Sequence, residues 1–134
     1  MILVDTSAWV EFFRGRDPLA SAVDDALATD DAALCGPVET ELRRGLRGRG
    51  EKERVVDLLA TCHFLDAPPA LWREAGDLGF VLRARGVTVK TLDLLVATHA
   101  LAHDAPVLSG DRDFVAMRRA GVPLMLAPPE PGRR

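Results

Sequence analysis

The amino-acid sequence predicts an α/β domain built around a mostly parallel β-sheet. Short apolar runs alternate along the chain with longer stretches of helical periodicity, which is the order expected when helices connect parallel strands. The chain has 134 residues, close to the commonest length of one domain, and 48% of them are hydrophobic. No repeat or internal linker divides the sequence, so we expect a single domain over residues 1–127.

The first half of the chain predicts two strands, each followed by helices. Residues 2–4 are all apolar, and the carboxylate and hydroxyl groups that follow them are typical of a helix N-terminus. Pro18 favours the first turn of a second helix, and the Gly-Pro pair at 36–37 ends the second strand. The predicted elements are a strand at 2–4, a helix up to 14, a helix from 18, a strand at 32–36, and helices at 38–46 and 49–61.

The second half predicts three more strands and three helices. Gly86 ends one of these helices, and the Thr91 hydroxyl can cap the next. The predicted elements are strands at 64–65, 106–108 and 124–126, and helices at 70–85, from 91 onward and at 113–120. The proline-rich residues 128–134 are predicted to be a flexible tail.

Charge, cysteine content and hydropathy exclude several classes of protein. With 20 acidic and 17 basic residues the net charge is −3, so the chain is not a globally basic nucleic-acid-binding protein. Cys35 and Cys62 are too few for a disulfide scaffold and are predicted to be small apolar packing residues. No apolar stretch approaches the roughly 20 residues of a membrane span, and no signal-peptide pattern precedes Asp5. We therefore expect a cytoplasmic protein that makes no membrane contact.

Four carboxylates fall where the predicted sheet would bring them together. Asp5 follows the first strand and Asp111 follows the strand at 106–108. The carboxyl ends of parallel strands meet at one edge of a sheet, where ligand sites form. Asp93 lies in the first turn of the helix that begins at 91, and Glu41 lies one turn into the helix after the second strand, so both can reach that edge.

A cluster of carboxylates on one edge indicates a bound cation, because they cannot all stay ionised without positive charge nearby. Oxygen ligands with no nearby Cys or paired His favour Mg²⁺, with Mn²⁺ as the alternative, and such a site suits hydrolysis of a phosphodiester. Taken one at a time, however, Asp5, Asp93 and Asp111 are also explained as helix caps. Their spacing alone leaves both interpretations open.

Four short motifs in a fixed order carry a family resemblance. They are Val4-Asp5-Thr6-Ser7-Ala8-Trp9, Glu41-Leu42-x-x-Gly45, Asp93-Leu94-Leu95-Val96-Ala97 and Leu108-Ser109-Gly110-Asp111-Arg112-Asp113-Phe114. With them the chain resembles the PIN-domain nucleases, and in particular the VapC toxins of bacterial toxin–antitoxin pairs. Each motif alone is weak, but the four together extend over almost the whole chain.

The resemblance implies a PIN-like three-layer fold, in which helices flank a central, mainly parallel sheet. It implies an endoribonuclease that cuts single-stranded RNA and needs Mg²⁺ or Mn²⁺. It also implies a homodimer and a cognate antitoxin whose C-terminal segment lies across the active groove. The residues that would be catalytic and would hold the metal are Asp5, Glu41, Asp93 and Asp111. Thr6 and Ser109 would support them through hydrogen bonds.

Two of these assignments rest on a choice between neighbours. Glu39 and Glu41 are two positions apart on one helix, so only one of them can face the site. The Leu-x-x-Gly sequence that follows Glu41 matches the family and favours Glu41. Asp111 is preferred over Asp113 because it lies at the strand end, and Asp113 is kept as a supporting residue that could bind metal through water.

Two groups of basic side chains can be explained either as solvent-facing residues or as functional contacts. The densest cluster consists of Arg43, Arg44, Arg47 and Arg49. It is either a solvated helix face or a contact for RNA or for the antitoxin, and the sequence favours neither. His99 and His103 lie four apart on one helix without the glutamate of the known metal-binding motif, so we predict that they face solvent.

Other functions fit the sequence less well. A receiver or phosphotransfer domain is also small and acid-edged, but it requires adjacent acids after its first strand and a late lysine beside a strand end. Here Asp5 stands alone, and no predicted strand ends beside Lys90, the last lysine. A haloacid-dehalogenase-like phosphatase requires Asp-x-Asp, and position 7 is Ser. An inactive PIN domain used only for binding would not need all four acids.

Overall fold

Four strands alternate with seven helices in residues 1–132, which are the residues that this computed structural model describes. The strands are β1 (Ile2–Val4), β2 (Ala32–Cys35), β3 (His63–Leu65) and β4 (Val107–Leu108). The helices are α1 (Thr6–Phe13), α2 (Leu19–Ala28), α3 (Gly36–Arg44), α4 (Arg49–Leu59), α5 (Pro69–Ala84), α6 (Thr91–Ala102) and α7 (Asp113–Arg119).

The strands pair in parallel, in the order β3-β2-β1-β4. Leu3 in central β1 is in register with Ala33 of β2 and with Val107 of β4. Because β1 and β4 are neighbours, their carboxyl ends lie side by side, and the Asp5 N–H donates a hydrogen bond to the Leu108 carbonyl over 2.9 Å. The predicted three-layer fold, a parallel sheet flanked by helices, is confirmed.

Apolar side chains on both faces of the sheet form the core. Every residue of β2 is buried, as are Leu3 and Val4 of β1, which is typical of parallel strands covered by helices on both faces. Trp9 of α1 and Phe114 of α7 are fully buried against this sheet core. Burying one large apolar side chain stabilises a fold by roughly 1.5–3 kcal/mol, so these contacts fix α1 and α7 near the sheet edge.

Most predicted helices and strands are present with shifted ends. Gly86, at φ +80°, lies just beyond α5 in a left-handed conformation that glycine adopts without strain, and it ends the helix as predicted. The predicted last strand at 124–126 is wrong, because only one parallel bridge forms there, between Val107 and Leu126. The two-residue β4 offers little backbone to pair with, and Pro123, which has no N–H to donate, lies just before that segment.

The prediction for one of the two histidines of α6 is also wrong. His99 is fully buried rather than solvent-facing, and its Nδ1 lies 2.6 Å from the Leu95 carbonyl oxygen. His103 is partly exposed, with its Nε2 2.8 Å from the Asp66 carbonyl oxygen. The helix is surrounded, since its contacts include α3, α5 and α7. A helix with neighbours on several sides has little solvent face, and the polar positions at its centre are therefore buried.

At the C-terminus, the described part of the predicted tail packs against α7. The Arg118 guanidinium donates two hydrogen bonds to the Glu130 carboxylate, each of 3.0 Å. Residues 133–134 lie outside the described residues, and a flexible tail over 128–134 stays a prediction. Within residues 1–132, no helix has both the length and the apolar character that a membrane crossing requires.

Candidate active site

Asp5 occupies the centre of the acidic edge. It lies directly after β1, is only 4% exposed, and its Oδ2 accepts hydrogen bonds from Ser109 Oγ at 2.7 Å and Ser7 Oγ at 3.0 Å. Burial raises the pKa of the Asp5 carboxyl, and the two serine hydroxyls partly oppose that rise. The carboxylate is thus held in one orientation at the end of the sheet.

The two serines join the ends of β1 and β4. Ser7 Oγ and Ser109 Oγ are 3.0 Å apart, and Ser7 Oγ also accepts the Gly110 N–H over 2.9 Å. Ser109 Oγ accepts the Asp111 N–H over 2.9 Å, which fixes the backbone at that aspartate. Ser109, which the sequence predicts to be a supporting residue, thus contacts Asp5 through its hydroxyl group. The sequence identifies Ser7 as part of a helix N-terminus and of a family motif, but it does not predict the hydrogen bond between Ser7 and Asp5.

Three further carboxylates converge beside Asp5. Asp93, Asp111 and Asp113 each offer an oxygen that lies within 4.8 Å of the others. Asp111 Oδ1 accepts the Asp113 N–H over 2.9 Å, a local turn that brings the two side chains to the same side. Asp113, predicted as a secondary residue, is thus as much a part of this cluster as Asp111.

Asp93 is the most perturbed member of the cluster. It is 5% exposed, and its buried Oδ2 finds no hydrogen-bond partner among the residues that the structure describes. Burial, the adjacent Asp113 carboxyl, and the charges of Asp111 and Asp5 raise the pKa of Asp93 to about 8. Although burial acts in the opposite direction, the Asp113 N–H and the Lys90 ammonium hold the pKa of Asp111 below its ordinary value.

Lys90 is a site residue that the sequence analysis did not find. Its Nζ lies 3.0 Å from Asp111 Oδ2 and 3.8 Å from Asp93 Oδ2. The residue precedes α6 by one position, so its side chain reaches Asp93 from three positions earlier in the chain. That spacing was the available signal. The prediction that no strand ends beside Lys90, which was one argument against a receiver domain, is therefore wrong. Lys90 contacts Asp111, which lies shortly after the end of β4.

Glu41 and Glu39 point in different directions, as predicted from their spacing. Thr6 Oγ1 donates a 2.7 Å hydrogen bond to Glu41 Oε1, which ties that glutamate to the residue next to Asp5. Glu39 instead forms an exposed pair with Arg43 at 3.1 Å. The preference for Glu41 is thus consistent with its placement, although Glu41 stands outside the group of three carboxylates.

A groove of about 420 Å³ runs past Glu41. Its lining includes Val10 and Phe13 of α1 and Leu46 and Arg47 beyond α3. All four arginines of the predicted basic cluster are exposed. Only Arg47 borders this groove, and a contact with RNA or with an antitoxin stays a prediction for all of them.

Known proteins share the sequence pattern of this chain. The model of the PIN domain family matches residues 2–120. A VapC ribonuclease of Mycobacterium bovis is 33% identical over 126 residues, which cover 89% of this chain and 92% of that protein. This chain belongs to the PIN domain family, among the VapC ribonucleases. Ribonuclease VapC11 of Mycobacterium tuberculosis has the same identity and coverage.

Solved structures agree with the VapC fold. A crystal structure of VapBC2 from Rickettsia felis, bound to a DNA fragment from its promoter, superposes with a TM-score of 0.74 and 22% identity. The match covers 95% of this chain and 98% of that one. A FitAcB structure from Neisseria gonorrhoeae has a TM-score of 0.70 and 21% identity, with coverage of 96% and 98%. The receiver and dehalogenase alternatives are excluded by this membership.

The donor set of this VapC chain fits a hard divalent cation. The converging atoms are all carboxylate oxygens, which are the ligands that Mg²⁺ and Mn²⁺ prefer. The buried Asp93 Oδ2 has no hydrogen-bond partner, and a buried polar atom without one costs free energy that a coordinated cation would recover. The residues present therefore suit the divalent metal with which PIN nucleases work.

Proposed function

We propose that this VapC-type protein is the toxin of a toxin–antitoxin pair and hydrolyses phosphodiester bonds of single-stranded RNA with the help of Mg²⁺. The observation that carries the proposal is the convergence of the three carboxylates beside buried Asp5, among them the buried Asp93 Oδ2, which accepts no hydrogen bond within residues 1–132. The residues proposed to hold the ion and carry the catalysis are Asp5, Asp93, Asp111 and Glu41. Mn²⁺ is the expected substitute, and RNA as substrate implies action in the cytoplasm.

The side chains around the site have different proposed roles in binding the ion and in orienting its ligands. A divalent ion held there would stabilise the negative charge that builds on the phosphodiester as water attacks it. Ser7 and Ser109 hold the Asp5 carboxylate through hydrogen bonds, and the Asp113 N–H holds Asp111. Because these carboxylates are already held in place, they do not have to reorganise when the substrate binds. This preorganisation lowers the activation barrier of the reaction.

Glu41 is proposed to act at the entrance of the site. Its hydrogen bond with Thr6 holds one carboxylate oxygen against the residue that follows Asp5, and the groove beside it carries Arg14 and Arg47. Guanidinium groups bind phosphate through paired hydrogen bonds, so these arginines could guide a single RNA strand past Glu41. Arg43 is less available for this, because Glu39 already pairs with it.

The same groove is our proposed docking site for the antitoxin. Several of the structures with this fold are toxin–antitoxin complexes, including one from Klebsiella pneumoniae. The lining of the groove includes the apolar side chains of Val10, Phe13 and Leu46, and Phe13 is 42% exposed. A segment lying there would cover Glu41 and block the path of RNA. The proposal requires that the product of an adjacent gene bind this chain and suppress its cleavage of RNA.

A homodimer is proposed through α5. Phe80 is 78% exposed and Trp72 is 49% exposed on this helix, and Gly76 lies between them on the same face. Beside Phe80 is a cavity of about 300 Å³ lined also by Gly79, Val89 and Leu94. Large exposed aromatic groups beside small residues suit a helix that packs against a second copy.

The metal dependence is tested with the purified chain and unstructured RNA. We expect cleavage in Mg²⁺ or Mn²⁺, loss of cleavage in EDTA, and recovery when excess metal is returned, because carboxylates repel a phosphodiester unless a cation lies between them. Gel electrophoresis of end-labelled RNA measures the products, and a double-stranded RNA of the same sequence is the control. Cleavage that continues unchanged in excess chelator would exclude the proposed mechanism.

A further inference from the structure

Lys90 gives the acidic cluster a cation from the chain itself. Its ammonium lies 3.0 Å from Asp111 Oδ2 and 3.8 Å from Asp93 Oδ2, and so bridges two of the converging carboxylates. Lysine side chains are protonated at neutral pH, and this ammonium donates a hydrogen bond to the Asp111 carboxylate. The ion-free protein therefore neutralises part of its own site.

The position of this ammonium conflicts with metal binding. Mg²⁺ binds carboxylate oxygens at about 2.0–2.1 Å and requires them to converge on it. Lys90 contacts Oδ2 of Asp93 and Oδ2 of Asp111, and both carboxylates belong to the group of three best placed to hold the ion. A divalent ion bound to these atoms and an ammonium within hydrogen-bond distance of one of them repel each other. One has to move when the other is present.

Lys90 is able to move without disturbing the fold. Its side chain is 69% exposed, it lies before the first turn of α6, and it ends in a flexible four-carbon chain. An ammonium released at this edge remains beside the place where a phosphodiester must lie to meet the ion. Lysine is a compact point charge, and this makes it an effective partner for a phosphate oxygen.

We propose that Lys90 is an exchangeable counter-ion of the active site. It holds Asp93 and Asp111 in the ion-free protein, gives up their Oδ2 atoms to the divalent ion, and then binds a non-bridging oxygen of the RNA phosphate. The second half rests on the proposed ribonuclease function, whereas the first half concerns the chain and the ion alone. The two halves make opposite predictions for one variant, Lys90→Gln.

The first measurement is Mn²⁺ binding by calorimetry without RNA. Lys90→Gln should bind Mn²⁺ about fivefold more tightly than the wild type, the effect of losing one exposed ion pair that competes with the metal. Without metal the variant should unfold at a lower temperature, and added Mn²⁺ should raise its midpoint by more than it raises that of the wild type. Unchanged or weaker Mn²⁺ binding would overturn the counter-ion role.

The matched control is Lys52→Gln. Lys52 is the only other lysine in the chain, it is exposed on α4, and its substitution makes the same change in net charge. We expect its Mn²⁺ affinity to stay within about twofold of the wild type, because charges exposed at a distance are screened. Equal gains in affinity for both lysine variants would show a long-range effect of net charge and would overturn a specific role for Lys90.

The second measurement is single-turnover cleavage of single-stranded RNA at saturating Mn²⁺. Here Lys90→Gln should be at least about tenfold slower than the wild type, because a charged contact to the phosphate is lost. Lys90→Arg should recover part of the rate, since it keeps the charge. A Lys90→Gln variant that binds Mn²⁺ more tightly and cleaves as fast as the wild type would overturn the phosphate contact. If the wild type cleaves no RNA, the proposed function fails, and the binding measurement still decides the counter-ion role.

Discussion

At the scale of single residues, Asp5 is defined by its hydrogen bonds as much as by its charge. Two serine hydroxyls from different parts of the chain, Ser7 and Ser109, donate to one of its oxygens. This arrangement leaves the other oxygen free of those contacts and fixes its direction. A substitution that changes the charge while preserving the shape therefore separates catalysis from folding.

Asp5→Asn is expected to reduce RNA cleavage by more than about tenfold, equivalent to roughly 1.4 kcal/mol in the barrier. The amide keeps the shape of the carboxylate but cannot supply its negative charge to a cation. Because burial raises the pKa of Asp5, removing the charge should leave the thermal midpoint of the ion-free protein unchanged or higher. Cleavage assays and thermal unfolding measure the two effects.

The control for this variant is Asp24→Asn, the same chemical change at an exposed position on α2. It should leave both cleavage and the thermal midpoint close to those of the wild type, since surface substitutions usually change stability by less than about 0.5 kcal/mol. If Asp5→Asn cleaves RNA as well as this control does, Asp5 is not part of the site.

Glu41 and Glu39 offer a matched pair on one helix. Glu41→Gln should weaken the apparent Mg²⁺ affinity by about 10–100-fold, the usual effect of losing a polar group next to metal ligands. Glu39→Gln removes only an exposed pair with Arg43, which is worth about 0.2–1 kcal/mol of stability, and should leave cleavage unchanged. The Mg²⁺ dependence of RNA cleavage tests both, with circular dichroism as the check on folding. A damaging Glu39→Gln beside a neutral Glu41→Gln would reverse the assignment.

The sequence predicted the carboxylates better than it predicted their partners. Asp5 and Asp111 follow strands, and the topology of a parallel sheet brings such positions to one edge. Lys90 lies in a loop, and its contact with Asp111 depends on how that loop closes in three dimensions. Ser7 could be read from the sequence only as a cap, because its contact with residue 109 joins the two ends of the chain.

At the scale of elements, α6 shows where periodicity misleads. The helix packs against α3, α5 and α7, so the polar positions at its centre, Thr98 and His99, are buried. Thr98 resolves this by donating to the Leu94 carbonyl over 2.6 Å. The His99 ring is satisfied at Nδ1 only, because its Nε2 has no hydrogen-bond partner within residues 1–132. The centroids of the His99 and Trp72 rings lie 6.1 Å apart. A one-dimensional pattern cannot reveal how many neighbours a helix has.

Burial lowers the pKa of His99, which lies in α6, and this makes the free energy of unfolding of the protein depend on pH. The folded protein keeps this imidazole neutral, whereas the unfolded chain binds a proton near pH 6.5. Below that pH the unfolded state holds more protons, so the contribution of His99 to stability falls as the pH falls. Asp93 acts in the opposite direction: since its folded pKa is raised to about 8, its contribution grows as the pH falls.

The two effects are separated by comparing the wild type with His99→Leu, which fills a similar volume but cannot be protonated. Chemical denaturation between pH 7.5 and pH 5 should show the variant gaining stability relative to the wild type as the pH falls. His63→Leu, in which a 41% exposed histidine is replaced, controls for the loss of a histidine in general. A difference between His99→Leu and the wild type that stays constant across the pH range would contradict the buried neutral state.

At the scale of the whole molecule, the exposed surface is larger than the mass requires. A folded monomer of 14.5 kDa is expected to expose roughly 6,900 Å². This chain exposes 7771 Å², and its exposed large side chains include Trp72 and Phe80 of α5. The sequence predicted a dimer through the family resemblance and through an apolar content that is high for so small a chain. It could not predict which surface is used, because Phe80 and Trp72 have the same helical periodicity as core residues.

Phe80→Glu is expected to convert the dimer into a monomer. The side chain is 78% exposed in one chain and stands beside Gly76 and Gly79, so its replacement does not disturb the core of the protomer. In a dimer that packs along this face, however, the carboxylate would be buried without a partner, and such burial costs several kcal/mol. Sedimentation at micromolar concentration should give a mass near twice 14.5 kDa for the wild type and near 14.5 kDa for the variant. Phe64→Glu makes the same change at a phenylalanine that is 54% exposed on edge strand β3, and it should remain dimeric. If Phe64→Glu is the variant that dissociates, the chains pair through the sheet edge and α5 is free.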